Sequence, residues 1–246
     1  VGEGHERLYA SSDFLLGSDH RHHPVGQEKP RFPGRIGVKS QENTSQREKL
    51  LAAATELFAR KGFAAVSIRE IARTAKANSA LISYHFGSKE GLYQEVLELQ
   101  FSLFAQTMLE SFERNLPPRE KVREMASALL AVHRAQPHWF RLYNTEITNP
   151  TSCFETIVRK YIAAVAGGAT KVIIEGMKSG DFSTKFNPAF AALSLAAMLN
   201  YYFLVLPLVQ MQEGQSISTA ERDEAYVHQA VEVFLFGLCP RQHEGL

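Results

Sequence analysis

An all-α protein is predicted by three observations. Apolar residues recur at three- and four-residue spacing in every long segment, two helix-start signatures of the form Ser-x-x-Glu precede such segments, and strand-like alternation bounded by hairpin turns is absent. At 246 residues and 45% hydrophobic, the chain can bury a core, and it divides into a tail, a small helical domain and a larger one.

Residues 1–44 are rich in Gly, Pro, Ser and His without sustained periodicity, which predicts a disordered tail. The tail opens on Val1, so it is expected to start at an alternative start codon or a processed end and to be partly dispensable. His20, His22 and His23 lack a Cys or carboxylate cluster at ligand spacing, and a solvated tail is expected there in place of a metal site.

The first helix is expected from Ser45 to Lys61. It opens on the Ser45 and Glu48 capping box, carries Leu50, Ala54, Leu57 and Phe58 on one stripe, and stops at Gly62. Phe63 and Val66 are expected to pack beneath the next two helices. A second capping box, Ser67 with Glu70, starts a short helix whose Ile68, Ile71, Ala72 and Ala75 share a face. Lys76-Ala77-Asn78-Ser79 is a polar break. After it Ile82 and Phe86, four apart, point inward and leave Ser79, Leu81, Ser83 and Tyr84 outward. Two short helices across a four-residue break suit a helix-turn-helix, and an outward face of hydroxyls and an aromatic without acids can lie on a polyanion.

Charge agrees with that placement. Residues 45–93 hold eight Lys and Arg against four Asp and Glu, while 1–44 balance at six each and 94–246 hold 13 against 16. The basic excess falls on the segment that would meet phosphates, and its modest size calls for two copies or good base contacts.

The run from Ser83 to Tyr93, SYHFGSKEGLY, resembles the end of the DNA-binding domain of TetR-family transcriptional regulators, and the resemblance extends over about Ser45 to Leu97. One departure is Lys76, where the family usually has Gly. The resemblance implies a DNA-binding domain over 45–93 followed by a ligand-sensing and dimerisation domain over 94–240. For double-stranded DNA, Ser67, Tyr84, His85 and Lys89 are placed to meet phosphates; base reading falls to Arg69, Asn78, Ser79, Leu81 and Ser83.

A long fourth helix is expected from Ser88 to about Glu113, with Leu92, Val96, Leu99, Leu103 and Phe104 inward. Past Pro117-Pro118, helices are expected over Arg119 to Ala135, Pro137 to Ile147, Thr151 to Ser179 with a bend at Gly167-Gly168, Pro188 to Met211, and Thr219 to Leu238. Phe186 to Gln212 holds 27 residues without a charge, long enough to span a bilayer. Interior Asn, Gln and Pro, and Ala where a span would have Leu, favour a helix buried on nearly all sides in a cytoplasmic protein, with no membrane.

In the last helix Val227, Val231, Phe234, Leu235 and Leu238 form a stripe, with Ala230, suited to a helical interface. The resembled family dimerises through two helices from each chain, and such a homodimer would set two reading helices on one palindrome.

The larger domain concentrates aromatics and sulfur: Trp139, Phe140, Tyr143, Phe154, Met177, Met198, Tyr201 and Tyr202 are candidates to line a pocket for an apolar small molecule of unknown identity. Arg141, Asn144, Glu146 or Asn200 could orient a polar end. The family generally senses a small molecule there, which implies a repressor released from DNA by its effector; the alternatives are a DNA-binding regulator controlled by a protein partner or binding constitutively, and a helical ligand carrier without DNA binding. No nucleophile elbow, phosphate-binding Gly loop or metal motif is found, so neither an enzyme nor a cofactor is expected. Cys153 and Cys239 are expected as reduced thiols.

Overall fold

The computed structural model describes residues 41–212 and 219–239, all within a unit that begins at Val38. Residues 1–40 of the expected tail, with His20, His22 and His23, lie outside the described residues. Helix α1 runs Gln41–Lys61, one turn farther upstream than Ser45. Ser45 therefore sits inside the helix and caps nothing, because Gln41 to Thr44 contain no Gly or Pro to stop it. Leu50, Ala54, Leu57 and Phe58 are buried as one stripe. The helix stops where Gly62 adopts φ 77°.

Helices α2 (Ile68–Ala75) and α3 (Ala80–Phe86) follow, and Gly87 and Ser88 turn the chain into α4 (Lys89–Phe112). A Cβ on Gly91 would lie 2.1 Å from the Phe86 carbonyl oxygen, so only glycine fits where the start of α4 meets the end of α3. Phe58, Phe63 and Tyr93 form a ring cluster, with Tyr93 4.9 and 4.8 Å from the other two. These contacts fix α4 to α1.

The predicted inner stripe of α4 needs correction. Leu92, Val96 and Phe104 are buried, but Leu99 and Leu103 are exposed, and Tyr93, Leu97, Phe101, Ala105 and Met108 take the inner positions. Apolar side chains surround most of this helix, so spacing alone did not choose the face that docks.

Helices α5 (Pro118–Ala135), α6 (Trp139–Thr148), α7 (Arg159–Ser179), α8 (Pro188–Gln212) and α9 (Thr219–Leu238) complete the bundle, with one π-helical turn at Phe154–Val158 leading into α7. No strand occurs among the described residues. Gly167-Gly168 does not interrupt α7. Gly168 serves close packing: a Cβ there would fall 2.4 Å from the Phe112 ring of α4.

Helix α8 is not buried on nearly all sides, contrary to expectation. Pro188–Leu208 is long and apolar enough to cross a membrane, with a mean hydropathy of 1.8, and only 22% of it is buried. Its inner side, Ala191, Leu195, Leu199 and Tyr202, packs on the bundle, while Phe190, Leu193, Tyr201, Leu204 and Leu208 face outward.

Candidate nucleic-acid interface and ligand groove

The capping box at α2 folds half as the sequence indicates. Ser67 Oγ accepts from the Glu70 amide at 3.1 Å, while the Glu70 carboxylate takes a 2.6 Å hydrogen bond from Lys61 Nζ and so ties α2 back to the end of α1. That hydrogen bond, with the charges of Lys61 and Arg73, holds the Glu70 carboxyl below its ordinary range. Ser67 itself stays exposed at the helix N-terminus.

Lys76 closes α2 in the left-handed conformation, φ 52° and ψ 44°, the one non-glycine residue with positive φ among those described. Its backbone N–H reaches the carbonyls of Ala72 and Arg73, so the turn forms despite the Cβ. Asn78 Oδ1 then accepts from Ala80 N at 2.9 Å and supplies the cap that Ser79 does not. The Asn78 carboxamide oxygen is therefore occupied in shaping the turn, and its amide is what remains to reach a base.

Helix α3 anchors through Ile82 and Phe86, both buried. Ser79, Ser83 and Tyr84 are exposed, Tyr84 to 72%. Leu81 is half-buried and packs against the core, which removes it from the outward set in which spacing placed it. His85 turns its Nε2 into the protein, buried and without a hydrogen-bond partner, so only its Nδ1 side could meet a phosphate. Lys89 holds its ammonium 4.3 Å from the centre of the Phe63 ring.

Arg69, Arg73 and Lys76 are exposed and make no ion pair among the described residues. Two of these, Arg73 and Lys76, were absent from the residues singled out by spacing. Their signal was the charge count, which marks the segment and not the side chain.

The aromatic residues of the larger part divide between core and groove. Trp139 is fully buried, stacked on Phe104 at 4.2 Å and beside Tyr143 at 5.6 Å. Tyr202 is buried, its hydroxyl donating to Asp223 at 2.6 Å, and burial with that bond pushes its phenol up to about 12. Phe154, Met177 and Met198 pack at the edge of the core, and Tyr201 is exposed. Of the eight pocket candidates only Phe140 lines the groove beside His133 and Phe203.

That groove, about 650 Å³ and open to solvent, lies among α1, α5, α6, α8 and α9. Its apolar wall is His133 stacked face to face on Phe203 at 3.7 Å, with Phe140 edge-on to His133 at 4.9 Å. Burial lowers the His133 imidazole to about 4, only partly offset by Asn200, whose Oδ1 lies 3.3 Å from Nε2. The ring is therefore a neutral aromatic surface at neutral pH. Arg141, Asn144 and Thr145 supply a polar edge from successive turns of α6, and Ala59 of α1 contributes to the wall.

The five α9 residues expected at a dimer seam are all buried within this one chain, so that face is corrected. Val227, Val231, Phe234, Leu235 and Leu238 form the inner side of α9; Val233 and Phe236, 57% and 76% exposed, form the outer one.

Among the described residues no group of His, Cys, Asp and Glu could hold a metal ion. Residues 50–96 match the family model of bacterial regulatory proteins of the tetR type. The transcriptional repressor NicS of Pseudomonas putida is 28% identical over 172 residues, 68% of this chain and 80% of that protein. The regulator RutR of Escherichia coli is 24% identical, over 83% of this chain and 96% of that one. The ketosteroid transcriptional regulator KstR2 of Mycobacterium tuberculosis shares the fold with a TM-score of 0.65 at 18% identity, over 86% of this chain and all of that one. Residues 50–96 thus form a DNA-binding segment that matches the tetR family of bacterial regulatory proteins, and the chain as a whole is similar to transcriptional regulators of that type in sequence and fold.

Proposed function

We propose that this chain is a cytoplasmic repressor that binds palindromic operator DNA as a homodimer and releases it when a small molecule occupies the groove. The observation that carries the DNA role is the coincidence of exposed Arg69, Arg73 and Lys76, none ion-paired among the described residues, with the exposed Ser79, Ser83 and Tyr84 face of α3. Unpaired cations beside a helix that fits a major groove are what phosphate anchoring and base reading require.

The homodimer is supported by the outer faces of α8 and α9. Phe190, Leu193, Tyr201, Leu204 and Leu208 follow three- and four-residue spacing and stand exposed, with Val233 and Phe236 exposed on the neighbouring helix. An uncharged, self-complementary stripe of this length suits a second copy related by a twofold axis. A bilayer fits the same helix poorly, because its inner side carries Tyr202 bonded to Asp223, with Arg222 beside them. Release on effector binding requires that the effector favour the DNA-incompetent state, and Ala59 in the groove wall brings α1 of the DNA-binding head into contact with any occupant.

The test is selection of a site from a random duplex pool, followed by titration of the selected palindrome across ionic strength. A dimer on DNA with a steep negative dependence of log affinity on log salt is expected. Tyr84→Ala should weaken binding to all sequences by about 1–3 kcal/mol. Failure to select any site at low salt would overturn the reading.

A further inference from the structure

We infer that the groove takes an anion with a flat or extended apolar body, a carboxylate in chemical class, with Arg141 as its charge partner. The inference rests on the reading of the groove as an effector site and adds the chemistry of the occupant.

Six other arginines between residues 98 and 239 have an acidic partner: Arg114 with Glu124, Arg119 with Asp181, Arg123 with Glu120 and Glu232, Arg134 with Glu224, Arg159 with Glu155, and Arg222 with Asp223. Arg141 is the remaining arginine of that stretch and has no ion pair or side-chain hydrogen bond among the described residues. It lines the groove.

The other polar groups of the groove cannot replace it. Arg134 is held by Glu224 at 3.0 Å and by the Ala220 carbonyl at 2.9 Å. His133 stays neutral in its aromatic surroundings. Asp223, the one acid in the lining among the described residues, is buried and engaged by the Tyr202 hydroxyl, with Arg222 3.8 Å away. Its charge is therefore largely offset before a ligand arrives.

Asn144, one turn beyond Arg141, spends an amide hydrogen on the Phe140 carbonyl, and Thr145 spends its hydroxyl proton on the Arg141 carbonyl. Those bonds hold the polar edge of α6 in register without consuming the guanidinium. A planar guanidinium offers two parallel N–H donors to a carboxylate, and the stacked His133 and Phe203 rings beside Phe140 give the apolar remainder a surface.

Calorimetric titration of the full chain with 2-naphthoate and decanoate, against 2-naphthamide and decanamide of the same shape, tests this directly. At least one acid should bind tenfold or more tightly than its amide, Arg141→Gln should erase that ratio, and Arg141→Lys should restore part of it. Equal binding of acid and amide to the unaltered protein, no binding of either acid, or a ratio that survives Arg141→Gln overturns the inference. Adding the selected operator separates the two readings. Acids that bind through Arg141 yet leave DNA bound uphold the anion site and sink effector release, whereas an amide that occupies the groove and frees the DNA does the reverse.

Discussion

The Tyr93 hydroxyl, on the helix that leaves the DNA-binding head, donates a 2.6 Å hydrogen bond to the fully buried carboxylate of Glu146 on α6. Thr151 supplies the remaining donors, its amide at 3.2 Å and its hydroxyl at 3.0 Å, and no basic side chain pairs with Glu146 among the described residues. Helix α6 also carries Phe140, Arg141, Asn144 and Thr145 of the groove. One short helix thus touches the groove on one side and α4 on another.

Tyr93→Phe removes a hydrogen bond to a buried charge and leaves the ring packing on Phe58 and Phe63 in place. Loss of about 1.5–3 kcal/mol of unfolding free energy is expected in urea denaturation. The unaltered protein should also lose stability in strong alkali. Burial, reinforced by Glu146, raises the Tyr93 phenol far above its usual 10, so its contribution is full below pH 10 and declines as pH rises above it. A Tyr93→Phe variant with unchanged stability would remove the bond from the account.

His133 predicts a dependence on the acid side. Its folded pKa of about 4 lies below the 6.5 of an unperturbed imidazole, so the unfolded chain binds the proton first. Stability from this group is complete above pH 6.5 and is lost as pH falls from 6.5 towards 4, up to about 3 kcal/mol. His133→Phe should flatten that part of the stability profile in parallel denaturation series. An identical slope in both proteins would contradict the burial argument.

How much could be read in advance depended on whether a signal was local. Ser67 capping Glu70, Gly62 ending α1 and the inward pair Ile82 and Phe86 are decided within four residues, and each is visible as spacing. Which apolar face of α9 meets its own chain is decided by α5 and α8. Leu235 and Phe236 are neighbours in sequence, and only the packed structure buries the first and leaves the second outside. The groove was hidden for a related reason. Arg141 stands in the aromatic run Trp139 to Tyr143, and its lack of an acid shows only when the other six arginines between residues 98 and 239 have found one.

Lys76 offers a test of local strain against function. A β-carbon in the left-handed region costs about 1–2 kcal/mol, and glycine gives back part of that through its greater unfolded freedom. Lys76→Gly should therefore raise stability by about 0.5–1 kcal/mol, a rise in Tm of about 1–3 °C. It should also weaken DNA binding uniformly across sequences and reduce the salt slope by about one, because the ammonium is exposed beside α3. Unchanged DNA affinity would show that the lysine is only tolerated in the turn.

Phe236 and Leu235 separate the seam from the core. Phe236 is 76% exposed in the single chain, so Phe236→Asp should leave protomer folding intact while placing two carboxylates in the proposed twofold interface. Losing about 1.5–3 kcal/mol of burial at each of two symmetry-related sites should raise the dimer Kd at least about a hundredfold, measured by sedimentation equilibrium. Leu235 is 4% exposed, and Leu235→Ala should instead cost about 2–5 kcal/mol of protomer stability. If the aspartate variant remains dimeric at micromolar concentration, the outer faces of α8 and α9 are not where two copies meet.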